Sequence, residues 1–286
     1  MAGVSVVWLL CGCAPGRPPA PNTIPVVAAE NFWGSLAGQL GGSRASVQSV
    51  VTDPNADPHE YESSIADARA FADAGLVILN GAGYDDWGQK LLDANPASGR
   101  RVVNVATLLG KRRGDNPHFW YSPAYVVSVA DRITAEYKAI DAADAGYFDA
   151  RRSALAVALQ PYLDEVAAIR RQHSGMAVGS TENVFVYMAD ALGLDLTTPP
   201  AFMNAVAQGT DPPASSVALF QDQIGNRRIQ VLVYNPQTIN AVTANIKALA
   251  QSQHIPTVGA SETISPPGLS FEEWQLQQLR ALEAAL

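Results

Sequence analysis

Short apolar runs alternate with amphipathic stretches through the first half of the chain, from Ile24 to about Ile140. This alternation is typical of parallel strands joined by crossover helices. It predicts strands at residues 24–28, 47–51, 76–79 and 101–105. It predicts helices at residues 32–40 behind an Asn31 cap, from Ser63 or Ser64 to residue 72, from Asp85 to residue 94, and from Pro123 to residue 139.

The next pattern is one long helical stretch over residues 142–172, rich in Ala, Leu, Arg and Glu. At 1.5 Å per residue it would extend roughly 40 Å, which suits a strut between two lobes better than an ordinary crossover. Pro161 predicts a kink inside this helix, and Gly175 ends it. The alternative is two helices that break at Pro161 and fold against each other.

The α/β alternation returns after the strut. It predicts strands at residues 176–179, 229–234 and 255–259, and helices at residues 184–192, 238–252 and 271–286. We therefore expect an α/β fold of two lobes, each a mostly parallel sheet with flanking helices. The expected boundaries are residues 1–25 for a leader and tether, 26–141 for the N-terminal lobe, 142–173 for the linking helix and 174–286 for the C-terminal lobe.

Composition narrows the possible partners. The chain has 286 residues, 48% of them hydrophobic, which is enough for one large core or two ordinary ones. Its formal net charge of -8 argues against a nucleic-acid partner, because phosphate binding relies on clustered Lys and Arg. No stretch approaches the roughly 20 apolar residues that span a bilayer, so attachment to a membrane would need another kind of anchor.

The N-terminus contains a candidate anchor. A short apolar run at residues 4–10 leads into Cys11 and Cys13, and a proline-rich segment follows to residue 25. This arrangement resembles a bacterial lipoprotein signal in which Cys13 becomes the lipidated first residue. No Lys or Arg precedes the apolar run, however, and Cys11 stands where a small residue is usual. Because the chain has only these two cysteines, we expect no disulfide or cysteine metal site in its body.

Two of the four histidines share a setting in which proline immediately precedes the imidazole. His118 lies in the segment NPHFWYSP, and His59 lies in DPHEYE. Pro117 disfavours helical geometry in the residue before it, and Ser122 with Pro123 begins the next helix, so His118 belongs to a loop. Loops at the carboxyl edge of open α/β sheets hold ligands. Either histidine alone reads more simply as a solvated turn residue, but the matching pair indicates a binding site.

Two imidazoles do not complete a metal site, because first-row divalent ions generally take four or more ligands. With sulfur unavailable, the remaining donors must be carboxylates. Glu182 and Glu262 each follow a predicted buried strand of the second lobe by a few residues. Taken singly, Glu182 reads equally well as an acid favoured by a helix dipole, and Glu262 as a plain loop acid. A site with two ligands from each lobe is the interpretation that connects them.

Aromatic residues next to the two histidines are further candidates. Tyr61, Phe119, Trp120 and Tyr121 are candidate cleft walls or hydrogen-bond donors to the ligands, although Trp120 reads more simply as core. His173 and His254 have no comparable setting and are expected at the surface.

Taken in order, these segments resemble the solute-binding lipoproteins of manganese and zinc ABC importers, a family that includes zinc-binding ZnuA-type and manganese-binding adhesin-type receptors. The resemblance rests on DPHEY, NGAGYD, NPHFW, the linking helix and TENVFVY, and it extends from Ile24 onward. It implies two α/β lobes bridged by one long, rigid helix, with a single metal ion between the lobes.

By matching position, the resemblance implies His59, His118, Glu182 and Glu262 as the metal ligands. Glu182 occupies a place that is His in many zinc members and Glu in the manganese members. Glu262 stands where most members have Asp. The His-rich acidic loop of several zinc receptors is missing, since residues 105–116 contain no histidine.

The donor set bears on the identity of the ion. Two imidazoles and two carboxylates suit Mn²⁺ better than a three-histidine site would, although the Irving–Williams order gives Zn²⁺ the higher intrinsic affinity. Bidentate carboxylates would supply six ligand atoms and favour manganese, whereas monodentate carboxylates would leave a four-coordinate site that favours zinc. On the sequence alone, Mn²⁺ is slightly favoured over Zn²⁺ as the one transported ion.

The implied function is capture of the ion between the lobes and its delivery to an ABC permease with its ATPase, without catalysis. Two glutamates would neutralise a divalent ion, so the loaded cleft could close without burying net charge. The expected protein is a monomer outside the cytoplasm, anchored to the outer face of the cell membrane through Cys13, or periplasmic.

A metal-dependent hydrolase using the same site is the main alternative. It would need an open coordination position and a general base. Glu60 is adjacent to His59, but no HExxH spacing accompanies it. A metal-binding surface adhesin or chaperone of the same architecture is another alternative. A serine hydrolase is disfavoured, because the chain has no Gly-x-Ser-x-Gly elbow.

Overall fold

The computed structural model describes residues 23–55, 58 and 61–286. Within these residues, eight strands form two parallel four-stranded sheets. The strands are β1 (Ile24–Glu30), β2 (Ala45–Val51), β3 (Leu76–Leu79), β4 (Arg101–Asn104), β5 (Ala177–Ser180), β6 (Asp195–Leu196), β7 (Val231–Tyr234) and β8 (Thr257–Gly259). The predicted class, α/β with two mostly parallel sheets, is confirmed.

Helices flank both sheets. They are α1 (Asn31–Gly41), α2 (Ile65–Asp73), α3 (Asp86–Ala94), α4 (Val105–Leu108), α5 (Pro123–Ile140), α6 (Ala145–His173), α7 (Val186–Leu192), α8 (Pro200–Ala207), α9 (Ala214–Gly225), α10 (Ala241–Ser252) and α11 (Phe271–Glu283). None of the helices in the described ranges combines the length and the apolar character needed to cross a membrane. The predicted leader with Cys13 lies outside the described residues, apart from its last few positions.

The two sheets repeat one topology. Their strand orders are β2-β1-β3-β4 and β6-β5-β7-β8, and every neighbouring pair is parallel. In each sheet the chain adds a strand on one side and then crosses to the other, so the direction of winding reverses at β1/β3 and at β5/β7. Loops diverge at the carboxyl edge of such a switch point and leave a crevice there.

Both faces of the inner strands β1, β3, β5 and β7 are covered, which explains why these strands read as nearly continuous apolar runs. Successive residues of β1 point to opposite faces. Val26 and Ala28 belong to a central core that contains residues of both lobes, whereas Val27 and Ala29 belong to a separate cluster on the outer face of the N-terminal lobe. In β7, Leu232 likewise faces an outer cluster of the C-terminal lobe.

Helix α6 is the predicted strut, and it runs without a break for 29 residues. Its buried side chains form one stripe at alternating spacings of three and four over most of its length; they are Phe148, Leu155, Leu159, Tyr162, Val166 and Ile169. Pro161 and Val157, four residues earlier, lie on the exposed side, where water can satisfy the carbonyl that proline leaves without a donor. The alternative of two helices folded back at Pro161 is therefore wrong.

Several local predictions differ from the structure. Asn31 does not cap α1; its side-chain oxygen accepts a hydrogen bond from the Ile264 backbone N–H, at 3.0 Å, and so joins the two lobes. Asp85 precedes α3 but makes no capping hydrogen bond. The helix predicted from Thr238 begins at Ala241, because Asn240 forms a capping box with Thr243.

Elements β6, α4, α8 and α9 had no counterpart in the prediction. Pro200 at the start of α8 and Pro213 just before α9 are ordinary helix-start signals that were present in the sequence.

Candidate metal centre

His118 lies in the loop after α4, and its ring is completely buried. Its Nδ1 and backbone nitrogen both contact Asn116 Oδ1, at 2.7 Å and 3.0 Å. A carbonyl oxygen can only accept, so Nδ1 is the donor, and in the neutral imidazole Nε2 has the lone pair. Asn116 is itself held by a hydrogen bond from its Nδ2 to the Asn183 carbonyl, 2.7 Å away. This tautomer is the one that can ligate a metal through Nε2.

Glu182 lies directly after β5, at the switch point of the C-terminal sheet, and is fully buried. Its Oε2 accepts hydrogen bonds from Asn235 Nδ2 and from Thr238 Oγ1, both at 2.7 Å. Its Oε1 faces the His118 ring, 3.4 Å from Nε2. The side chain is thus held at one oxygen and presents the other to the imidazole.

Glu262 follows β8 and is also fully buried. Its Oε1 accepts a hydrogen bond from Asn235 Nδ2 at 2.6 Å, and its Oε2 accepts one from Tyr84 Oη at 2.9 Å. Its backbone N–H donates to Gln237 Oε1 at 2.5 Å. Oε2 lies 3.3 Å from His118 Nε2, so this carboxylate also turns one oxygen toward the histidine.

The two carboxylates affect each other's ionisation. Burial raises the pKa of Glu182 above its ordinary value, and the neighbouring Glu262 charge raises it further. His118 and the hydrogen bonds from Thr238 and Asn235 act in the opposite direction. The net result is a raised pKa for Glu182, because the carboxylate loses its hydration when it is buried and is repelled by the neighbouring Glu262 charge. A divalent cation would relieve both costs.

Three of the four predicted site residues converge. His118, Glu182 and Glu262 each offer a ligand atom, and these atoms lie within 4.8 Å of one another. No other group of three or more His, Cys, Asp and Glu side chains within the described ranges meets this criterion. The three residues come from loops after α4, β5 and β8, so both lobes contribute.

The fourth predicted residue, His59, lies outside the described residues, as does Glu60, the base required by the hydrolase alternative. The proximity of the two imidazoles therefore stays a prediction. The nearest described residue after this segment, Tyr61, donates a hydrogen bond from its hydroxyl to Asp67 at 2.8 Å. Its predicted contact with a ligand also stays a prediction.

The other aromatic candidates are mainly structural. Trp120 is fully buried and stacks on Phe32 with ring centroids 4.1 Å apart, as expected for core. Phe119 is buried beside Tyr187. Tyr121 donates a hydrogen bond to the carbonyl of Ser261, next to Glu262, at 2.8 Å. Among the remaining histidines, His254 is exposed and His173 is half-buried.

Four residues that hold the predicted ligands had no predicted role. Asn116 orients His118, Tyr84 binds Glu262, and Asn235 and Thr238 bind Glu182. Tyr84 and Asn116 lie inside the motifs NGAGYD and NPHFW, so the motifs signalled their presence but not their contacts. Asn235 follows a predicted buried strand, as Glu182 and Glu262 do, and that shared placement was the available signal.

Comparison with known proteins matches residues 26–285 to one family model, described as ZnuA, the periplasmic component A of a zinc-uptake complex. A curated relative, the manganese-binding lipoprotein MntA of Halalkalibacterium halodurans, is 27% identical over 203 residues, which cover 68% of this chain and 66% of the relative. The match to the iron-binding protein YfeA of Yersinia pestis is 25% identical and covers 56% of that protein. The chain thus spans about two thirds or less of the length of these relatives.

Solved structures share the fold. A metal-free periplasmic metal-binding protein from Candidatus Liberibacter asiaticus, solved as a point mutant, superimposes with a TM-score of 0.76 at 16% identity, covering 91% of this chain and 99% of that one. The solute-binding protein FpvC of Pseudomonas aeruginosa, solved with Mn²⁺, gives a TM-score of 0.74 at 18% identity, covering 92% and 98%. At these identities the likeness establishes the fold alone.

Proposed function

The chain belongs to the ZnuA family of periplasmic zinc-uptake components, and we propose that it captures one divalent transition-metal ion between its lobes. The observation that carries this proposal is the convergence of His118, Glu182 and Glu262 in a fully buried cluster. One imidazole nitrogen and two carboxylate oxygens suit a borderline first-row ion. We propose His59 as the fourth ligand, from the loop after β2.

Zn²⁺ is the ion that single-oxygen binding by the glutamates supports best. For bonds of about 2.0 to 2.1 Å, two ligands of a tetrahedral zinc site lie about 3.3 to 3.4 Å apart. His118 Nε2 lies 3.4 Å from Glu182 Oε1 and 3.3 Å from Glu262 Oε2. Each glutamate also has an oxygen engaged by Asn235, which supports monodentate binding. We therefore propose Zn²⁺ as the tighter ligand and Mn²⁺, slightly favoured by the sequence, as the weaker one.

Binding is capture without chemistry. The ion is bound as a transported ligand, and two ionised glutamates balance its charge, so a buried site carries no net charge once it is loaded. The imidazoles must be neutral and the carboxylates ionised, which means that binding displaces protons from any that are protonated.

Delivery to an ABC permease and its ATPase is the proposed fate of the ion. We also propose an extracytoplasmic location, with Cys13 as the lipid anchor and a monomeric protein. MntA of H. halodurans is named a lipoprotein, which supports the anchor by similarity. A neighbouring permease and ATPase gene, and a mass for the mature N-terminus that includes lipid on Cys13, are the corresponding tests.

Calorimetric titration of metal-free protein with Zn²⁺ and with Mn²⁺ tests the binding step. We expect one ion per chain for both metals, tighter binding of Zn²⁺, and loss of stoichiometric zinc in both His118→Ala and His59→Ala. His254→Ala, on an exposed histidine, is the matched control. Wild-type protein that binds neither ion would refute the proposed function.

A further inference from the structure

One amide nitrogen joins the two glutamates of the site. Asn235 follows β7 at the switch point of the C-terminal sheet and is 2% exposed. Its Nδ2 lies 2.7 Å from Glu182 Oε2 and 2.6 Å from Glu262 Oε1. An NH₂ group has two hydrogens, so it can donate one to each carboxylate at the same time.

The four carboxylate oxygens are therefore divided between two nitrogen atoms. Each glutamate places one oxygen on Asn235 Nδ2 and the other within 3.4 Å of His118 Nε2. The ion belongs on the histidine side, where the three ligand atoms converge. On the opposite side, the amide draws toward itself the oxygens that a bidentate glutamate would need for the metal.

Thr238 strengthens this division at Glu182. Its hydroxyl donates to the same Oε2 that Asn235 binds, at 2.7 Å. A carboxylate oxygen has about two acceptor positions, so Asn235 and Thr238 together occupy both positions of Oε2. Glu182 then has only Oε1 to offer to a metal.

The orientation of the Asn235 amide is fixed by its own loop. Its Oδ1 accepts a hydrogen bond from the Gln237 backbone N–H at 2.9 Å, and its backbone N–H donates to Thr181 Oγ1 at 3.3 Å. Because Oδ1 is engaged by a donor, Nδ2 is the end that faces the carboxylates. The donor is thus in place before an ion arrives.

We propose that Asn235 is a positioning residue for metal selectivity: by drawing one oxygen of each glutamate to its own side, it favours a single metal bond from each and so favours four-coordinate Zn²⁺ over ions that require more ligands. The inference rests on the proposed function, since it concerns the same site. Removal of the amide frees two oxygens, and bidentate glutamates then raise the ligand count toward the six that Mn²⁺ accepts. Asn235 itself does not bind the metal.

The test compares three variants with the wild-type protein. Asn235→Ala removes both amide contacts, Thr238→Val removes one contact with Glu182, and Asn226→Ala is the matched control. Asn226→Ala makes the same substitution on an exposed asparagine, whose Nδ2 donates to Asp222 Oδ1 outside the site. Zn²⁺ and Mn²⁺ dissociation constants come from competition with chelators. Co²⁺ reports geometry, because its visible absorption is strong when four-coordinate and weak when six-coordinate.

Loss of an outer hydrogen-bond partner typically lowers metal affinity 10- to 100-fold. We expect Asn235→Ala to lose at least about tenfold in Zn²⁺ affinity and less in Mn²⁺ affinity, so the Zn²⁺/Mn²⁺ ratio falls and the Co²⁺ bands weaken. Thr238→Val is expected to show a smaller change in the same direction. Asn226→Ala is expected to keep the wild-type Co²⁺ spectrum and ratio.

Two outcomes would overturn the inference while the proposed function stands: an Asn235→Ala protein with the wild-type ratio and spectrum, or an Asn226→Ala protein that changes as much as Asn235→Ala. If Asn235→Ala does not fold, Asn235→Ser and Thr238→Val carry the test. The serine hydroxyl can still accept from the Gln237 N–H, but with one hydrogen it cannot donate to both glutamates. Absence of metal binding in the wild-type protein would instead refute the proposed function.

Discussion

Among the residues that the structure describes, two pairs of buried carboxyl groups lie beyond the carboxyl ends of strands, and one of these pairs suits a metal ion. Glu182 and Glu262 face a histidine nitrogen and share an amide donor. Glu30, at the end of β1, lies against Asp85 instead. Asp85 accepts hydrogen bonds from the backbone N–H groups of Asn80 and Gly81, at 2.6 Å and 2.8 Å.

Burial affects the ionisation of both members of the Glu30–Asp85 pair. Burial raises the pKa of Glu30 well above its usual value, and the charge of Asp85 raises it further. Burial also raises the pKa of Asp85, to about 6, although the two backbone N–H groups and a hydrogen bond from Glu30 lower it. Glu30 is therefore the member of the pair that keeps its proton. Burial of two acids is thus not sufficient for a metal site. The site also needs a donor of another kind, here the His118 imidazole, and carboxylate oxygens that face it.

Substitution of one acid in each pair gives the largest expected contrast. Glu182→Gln removes a charge and a ligand oxygen, so metal binding should be lost. In thermal unfolding, metal at 100 times the dissociation constant stabilises a binding protein by about 2.7 kcal/mol, and this gain should disappear in Glu182→Gln. Glu30→Gln is the matched control and should retain it. Equal loss in both variants would contradict the division of roles.

The second contrast concerns pH, because metal binding by the Glu182–Glu262 pair should weaken on acidification. Metal binding requires ionised Glu182, whose pKa is raised by burial. The affinity for Zn²⁺ should therefore fall as the pH drops through this raised pKa, by up to about tenfold per pH unit for each proton taken up. The fall should begin at a higher pH than an ordinary glutamate would produce. A titration series across this range measures it, and a flat profile would contradict the assignment of Glu182.

The metal-free protein offers a third contrast. Glu30 keeps its proton when folded but loses it when unfolded above about pH 4.5, so unfolding releases a proton and becomes easier as the pH rises. The slope is about 1.4 kcal/mol per pH unit for one proton, between the unfolded pKa and the raised folded pKa. Glu30→Gln removes that slope. Urea denaturation at several pH values, with a chelator present, measures it.

The matched control for this measurement is Glu62→Gln, which makes the same substitution on an exposed side chain. It should keep the wild-type dependence of the free energy of unfolding on pH. If Glu30→Gln and Glu62→Gln give the same slope, then Glu30 is not the group whose proton is linked to folding.

The smallest expected effect concerns a single contact of the metal pair. Tyr84→Phe removes the hydroxyl that donates to Glu262 Oε2, and a hydrogen bond to a charged group contributes about 1.5 kcal/mol or more. We expect roughly a tenfold loss of zinc affinity. Tyr187→Phe is the control, because its hydroxyl donates to the Asn116 carbonyl and not to a carboxylate. A larger loss in Tyr187→Phe would argue against Tyr84 as a support of the site.

The elements with strong local signals could be predicted from the sequence. The strand at Leu76–Leu79 has the predicted bounds, and Ser122 caps α5 through the Tyr125 N–H as predicted. The ends of other elements differ from the prediction by one to three residues, and long-range contacts are one cause of such differences. Asn31 shows the reason: its side chain binds Ile264, more than two hundred residues away, and no local pattern encodes such a contact.

The candidate site, too, could be predicted from the sequence only in part. His118, Glu182 and Glu262 were chosen from their loops and from the family resemblance, and the structure brings them together. The sequence predicted a helix that begins at Thr238. In the structure the Asn240 capping box makes the helix begin at Ala241, so Thr238 lies in the preceding loop and contacts Glu182. The hydrogen bonds that orient the carboxylates join residues that are far apart in the sequence. Asn235 and Glu182 are 53 positions apart, and Tyr84 and Glu262 are 178 positions apart. Only the fold specifies such pairs.

The shared central core has a consequence for how the protein unfolds. One apolar cluster contains Ile24 at the start of the N-terminal lobe and Leu282 near the end of the chain, and buried side chains of α6 belong to it. Neither half can keep its apolar surface covered without the other. Heat or denaturant is therefore expected to unfold both halves in one cooperative step, and halves made separately, divided after residue 173, should each be insoluble or unfolded until they are combined.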